Sequence, residues 1–161
     1  MRGVLVYGSL LDPAALAATL SAATAADAVP VRVAGYRRTF GMASRYREGE
    51  DGETAILTAE PDPEAWLNAV LVPDVPDEEF AVYRQREQRY DLVDVPAESV
   101  TAYHEPDAPT VAGQDERLLA VSERGLEDPE PIPYYAADCL AGARAWDEEF
   151  LADFLVTTSR T

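Results

Sequence analysis

The order of segments predicts an α+β fold: one mixed or antiparallel sheet, curled toward a small barrel and flanked by helices. Three observations carry this. β-prone and helical runs follow one another as β, α, several β, α, several β, α, which is not the strict alternation of a doubly wound sheet. The apolar share of the 161 residues, 47%, is enough to bury one core without disulfides or metals. Neither an internal repeat nor a linker divides the chain, so residues 1–161 are expected to form one domain.

The first strand is Val4-Leu5-Val6, a short apolar run. Tyr7-Gly8-Ser9-Leu10 follows as a tight turn. Asp12 stands where a helix N-cap belongs, and Pro13 suits the first helical position. Ala14 to Leu20 supplies helix formers. Strand, turn and helix start leave backbone N–H groups pointing at one spot, which suits an anion or a carbonyl oxygen. The same layout also serves as a plain strand-to-helix connection, and the two readings stay open.

Ser21 to Ala28 reads as a connection. Val29 to Gly35 reads as a strand with Val31 and Val33 on one face, continued by Tyr36 to Phe40. Arg45 to Gly52 reads as an exposed turn. Thr54 to Ala59 is β-prone and is expected to break at Pro61 and Pro63. Trp66 to Val72 is apolar on both faces, which predicts a central strand. Asp91–Val95, Ser99–Tyr103 and Leu118–Ser122 are further short strands. Glu105 to Gln114 reads as a loop, and Glu127 to Pro133 as extended. One long C-terminal helix is expected from Tyr135 to Phe154, with Cys139, Gly142, Trp146, Phe150 and Phe154 as its buried stripe.

The charge excludes some functions. Thirty acidic residues oppose thirteen basic ones, a net charge of −17, and every basic residue is Arg. A nucleic-acid partner is not expected, because phosphate binding needs basic patches. The acidity is spread along the chain and reads as a solvated surface suited to high salt. No apolar run is long enough to span a membrane, and no signal layout is visible, so a cytoplasmic protein is expected. With one cysteine, Cys139, and one histidine, His104, a zinc site of several Cys or His ligands is excluded from a single chain. His104 lies in a polar loop, and Cys139 reads as core. Five of the thirteen arginines fall between Arg32 and Arg47; they either offset surface charge or grip a carboxylate.

The helix opening at Asp74 or Pro76 is the most informative. Phe80, Tyr83, Glu87 and Tyr90 share one face by spacing, while Arg84, Gln85, Arg86, Gln88 and Arg89 face outward. Glu87 is thus a carboxylate on an aromatic stripe. Either burial raises its pKa and makes it a proton carrier, or the helix ends early, or an arginine pairs with it.

Val6-Tyr7-Gly8-Ser9-Leu10 and Arg86-Glu87-Gln88-Arg89-Tyr90 together resemble the γ-glutamyl cyclotransferase family, with its AIG2-like and ChaC-like branches. Pro131 to Tyr135, and Cys139 to Ala143 through Leu151, resemble the tail of AIG2-like members. The resemblance covers nearly the whole chain. It implies a small mixed β-barrel with flanking helices and a pocket built by the turn and Glu87. It also implies Glu87 as catalytic residue, Tyr7, Gly8, Ser9, Leu10 and Tyr90 as substrate-binding residues, a small γ-glutamyl substrate, and no metal or cofactor. An aromatic ring of Tyr90, Tyr134 or Tyr135 is expected to close the pocket. Gln88 departs from the pattern, since many members carry Gly after the Glu. A non-catalytic module of the same fold, binding a glutamyl or amino-acid ligand, is the alternative. Hydrolysis through Ser9 as nucleophile lacks both a base and the second Gly of a nucleophile elbow.

Overall fold

The structure, a computed structural model, describes residues 1–43, 55–122 and 133–159. In chain order the elements are β1 (Arg2–Val6), α1 (Pro13–Thr19), α2 (Ala22–Ala25), β2 (Val29–Ala43), β3 (Ala55–Val72), α3 (Asp77–Arg86), β4 (Asp91–Asp94), β5 (Val100–Ala102), α4 (Ala108–Ala112), β6 (Glu116–Val121), α5 (Pro133–Arg144), α6 (Glu148–Thr157) and β7 (Thr158–Ser159). Short 3₁₀ turns occupy Ser9–Leu11, Ala97–Ser99 and Glu105–Asp107.

The strands form one mixed, curled sheet in the order β4-β6-β1-β3-β2-β5, with β7 added alongside β2. The expected fold class holds. β1 lies antiparallel to β3, Leu5 opposite Leu71, and parallel to β6, Val4 opposite Leu118. Beyond the end of β1, β3 and β6 meet directly, Ala59 opposite Val121. The sheet therefore splits around β1 and rejoins past it, and the turn after Val6 leaves the sheet over that split.

β3 is central, as its two apolar faces require, but it is one strand rather than two. Pro61 and Pro63 do not end it. Tyr36 faces Pro61 and Ala34 faces Trp66, so residues 62–65 are extra on β3, a bulge that holds Pro63 and begins just after Pro61. Opposite them Gly35 has φ +92°, a backbone state that a side chain resists.

Other expectations are corrected. Ser21–Ala28 is not only a connection: Ser21 caps α2 by accepting from the Thr24 N–H at 3.1 Å. Glu105–Gln114 is not a loop but a 3₁₀ turn and α4. Pro106 and Pro109 take early helical positions, where their missing N–H is harmless, and Val111 is buried beneath. The C-terminal helix is two helices. Asp147 restarts the chain by accepting from the Phe150 N–H at 2.7 Å, and the Trp146 indole N–H donates to the Leu11 carbonyl at 2.9 Å. Cys139, Phe150 and Phe154 are buried as expected. Arg45–Gly52 and Glu127–Ile132 lie outside the described residues.

Val31, Val33, Leu67, Ala69 and Leu71 pack with Leu5 and Leu119 in one apolar cluster. Across the sheet, α6 covers Arg38 and Asn68. α5 seats Gly142 against the chain at Leu11 and Asp12, where an added Cβ would lie 2.6 Å from the Asp12 nitrogen. The turn following β1 is thus clamped between the sheet and α5.

Candidate active site at the split in the sheet

The split leaves backbone groups of β3 without a neighbouring strand, and buried polar backbone must be paired. Three tyrosines do this. The Ala59 N–H donates to the Tyr7 hydroxyl at 3.1 Å, and that hydroxyl donates to the Ala120 carbonyl. The Tyr7 side chain therefore bridges β3 and β6 where β1 has left. The Leu57 N–H donates to the Tyr135 hydroxyl at 3.3 Å, and the Tyr90 hydroxyl donates to the Leu57 carbonyl at 2.9 Å. Burial pushes the phenols of Tyr7, Tyr83, Tyr90 and Tyr135 above their ordinary range, so they stay protonated and act as hydrogen-bonding groups rather than anions.

Gly8-Ser9-Leu10-Leu11 crosses over this tyrosine cluster. A Cβ at Gly8 would sit 3.1 Å from the Tyr135 hydroxyl. The turn closes through the Leu11 N–H donating to the Gly8 carbonyl at 3.0 Å. The N–H groups of Gly8, Ser9 and Leu10 have no acceptor among the described residues. Asp12 then caps α1, accepting from the Ala14 N–H at 3.3 Å.

α3 ends one residue before Glu87. Asp77, Glu78 and Glu79 favour its N-terminus, and Arg84 and Arg86 its last turn. Glu87 is the C-cap, with its N–H donating to the Tyr83 carbonyl and its carbonyl accepting from the Tyr90 N–H, both at 2.9 Å. The expected single stripe through Tyr90 is therefore corrected. Phe80 and Tyr83 are buried on the helix, whereas Glu87 and Tyr90 reach inward from the turn beyond it. The Glu87 side chain is only 15% exposed. Burial raises its pKa above the ordinary carboxylate value, and the adjacent Arg86 pulls it part of the way back.

Arg86 is exposed, as expected, and it also links the two halves of the site. Its Nε lies 3.5 Å from Glu87 Oε1, and its Nη2 donates to Ser9 Oγ at 3.3 Å. Among the described residues, the arginine that pairs with Glu87 is thus its chain neighbour, not Arg84 or Arg32, Arg37 or Arg38 of the cluster. In that cluster, Arg32 grips Glu149 at 2.8 Å and Asp153 at 3.2 Å, and Arg37 grips Glu60 at 2.8 Å. Both hold the protein's own carboxylates. His104 is exposed. The side chain of Tyr134 lies outside the described residues.

Arg38 was missed as an individual residue. It is fully buried, and burial pushes its pKa down to about 9. Its five N–H groups reach the carbonyls of Tyr7 and Asn68, Asn68 Oδ1, and the hydroxyls of Thr157 and Thr158. One signal was available: in so acidic a chain, no Asp or Glu occurs from Ala28 to Arg47, so arginines there are not placed for nearby surface pairing.

The arrangement links a carboxyl of raised pKa, through Arg86, to a turn whose N–H groups have no acceptor among the described residues, over neutral phenols. It can accept and return one proton and steady one developing oxyanion.

No family model and no curated protein matches the chain. Solved structures do. YkqA from Bacillus subtilis superposes with a TM-score of 0.64 at 17% identity, covering 96% of this chain and 53% of that one, so the present chain spans about half of YkqA. A γ-glutamyl cyclotransferase gives 0.64 at 14% identity, covering 99% and 89%. A yeast γ-glutamyl cyclotransferase specific to glutathione gives 0.55 at 16%, covering 97% and 94%. These likenesses show the fold.

Proposed function

We propose that this chain, which has the γ-glutamyl cyclotransferase fold, cyclises a small γ-glutamyl amide to 5-oxoproline and releases the amine or amino acid. Two fold neighbours bear that activity in their names, which supports the reaction class. The observation that carries the reading is Glu87, a carboxyl raised by burial and tied through Arg86 to Ser9 in the turn.

The α-ammonium of the substrate gives a proton to the Glu87 carboxylate. The freed amine attacks the γ-carbonyl carbon, and the carbonyl oxygen takes up negative charge. N–H groups of Gly8, Ser9 and Leu10 hold that oxygen. The carbonyl then reforms and the bond to the leaving nitrogen breaks as Glu87 returns the proton to it, and the ring nitrogen gives up its second proton to the departing amine or to water, leaving 5-oxoproline. One carboxyl whose pKa is raised by burial serves both transfers, each worth roughly 10²–10⁴-fold. Holding the glutamyl chain curled adds proximity. Tyr7 and Tyr90 shape the pocket from beneath, their hydroxyls being engaged by β3 and β6. The reading needs no cofactor and involves neither nucleic acid nor membrane. Among the described residues no helix is long and apolar enough to cross a bilayer, and we place the activity in the cytoplasm.

Incubation with a panel of γ-glutamyl amides, followed by detection of 5-oxoproline, tests the proposal. Glu87→Gln keeps shape but cannot take the ammonium proton, so turnover should fall at least about a hundredfold while ligand binding remains. A folded Glu87→Gln protein with near-normal turnover removes Glu87 from the mechanism. Binding of γ-glutamyl ligands with no 5-oxoproline from any of them leaves a binding module instead.

A further inference from the structure

We propose that Arg38 is a positioning residue: by holding the carbonyl of Tyr7 it aims the Gly8 N–H into the site. The inference rests on the proposed cyclisation and adds a residue that touches no substrate.

The argument starts from the peptide plane. The Tyr7 carbonyl and the Gly8 N–H belong to one planar unit and point in opposite directions across it. Arg38 Nη1 donates to the Tyr7 carbonyl at 3.1 Å and to the Asn68 carbonyl at 2.7 Å. Asn68 belongs to β3, so the guanidinium ties the turn to the rigid part of the sheet. With its carbonyl drawn toward Arg38 and the end of α6, the Gly8 N–H faces the other way. It has no acceptor there among the described residues.

The choice of arginine fits this task. A planar fork holds several acceptors in fixed relation, whereas an ammonium does not. All five donors of Arg38 are engaged, and no carboxylate pairs with it among the described residues. Its charge is met by weaker means. Thr157 and Thr158 place it at the C-terminal end of α6, the negative end of the helix dipole, and its Cζ lies 4.0 Å from the centre of the Phe154 ring. A buried cation lacking a counter-ion is a costly way to brace a fold. Its geometry, however, sets the one carbonyl that orients the turn.

The test compares Arg38→Lys with Thr157→Val in the full chain. Lys keeps the charge and loses the fork. Thr157→Val removes one partner of Arg38 and leaves the Tyr7 arm intact. Two quantities are read: the Gly8 amide, by its ¹⁵N–¹H resonance and hydrogen exchange, and kcat with KM on the best γ-glutamyl amide. Arg38→Lys should shift the Gly8 resonance and lower kcat by about tenfold or more, with KM changed less. Thr157→Val should lower melting temperature yet leave Gly8 and kcat as they were. Unchanged Gly8 or unchanged kcat in Arg38→Lys overturns the proposal, as does an equal kcat loss in Thr157→Val. If Arg38→Lys does not fold, Arg38→Gln replaces it, and failure of both to fold assigns the residue to stability alone. If the wild-type protein releases no 5-oxoproline, the cyclisation reading falls separately, and the Gly8 resonance still decides whether Arg38 orients the turn.

Discussion

Gly142→Ala sets two effects of opposite sign against each other. Gly142 lies in α5, and in a helix interior Ala is favoured over Gly by about 1 kcal/mol. Propensity alone therefore predicts stabilisation. Packing predicts the reverse. The new Cβ would lie 2.6 Å from the Asp12 nitrogen, 3.0 Å from the Leu11 carbonyl carbon and 3.2 Å from Asp12 Cα. The first falls about 0.8 Å short of the 3.4 Å at which ordinary contact begins. All three atoms are backbone, so no side chain can swing aside and the helix itself must back away. Overpacking costs about 1–3 kcal/mol, and rigid neighbours put this case near the upper end. The net expectation is a loss of about 2 kcal/mol. For a protein of this size that lowers the melting temperature by about 4–8 °C. Differential scanning calorimetry and urea titration read the loss directly. 5-Oxoproline release reads its second consequence, because the displaced helix carries Tyr135 away from the turn. A melting temperature that stays level or rises would show that α5 does not press on Leu11 and Asp12, and the clamp on the turn would be wrong.

Tyr7→Phe deletes the hydroxyl between β3 and β6, orphaning the Ala59 N–H; a loss of about 1–3 kcal/mol is expected in urea titration. Arg86→Gln removes the charge that lowers the Glu87 pKa, so the acid limb of the kcat profile should move to higher pH with the alkaline plateau retained. A raised carboxyl binds its proton more tightly in the folded state, so its contribution to stability is present at low pH and lost as pH rises through the folded value. Glu87→Gln escapes that loss: its melting temperature relative to wild type should be higher at about pH 8 than at about pH 4. The net charge of −17 predicts that added salt raises the melting temperature by screening self-repulsion; an unchanged value between low and high salt would reject the reading of a salt-suited surface.

Residues close in sequence carried much of this protein's description. Val4 to Pro13 fixes its strand, turn and capped helix through local chemistry: an apolar run, a glycine, an Asp at the cap and a Pro behind it. The two apolar faces of Trp66–Val72 placed β3 between other strands, because only a central strand buries both. Helical spacing marked Glu87 as a carboxylate among aromatics, although α3 stops at Arg86 and Glu87 reaches inward from its cap. Tertiary structure decided the rest, because it depends on groups far apart in the chain. Pro61 and Pro63 read as breakers, but pairing with β2 across a Gly35 bulge carries one strand through them. The break at Asp147 depends on Trp146 reaching Leu11, 135 positions away. Tyr7, Tyr90 and Tyr135 acquire a shared role only where β3 and β6 part around the end of β1. Arg38 was one of several arginines until folding buried it between Tyr7, Asn68 and the end of α6. A hydrogen bond spanning 120 residues leaves no local pattern, since neither partner's neighbours have to change to make it.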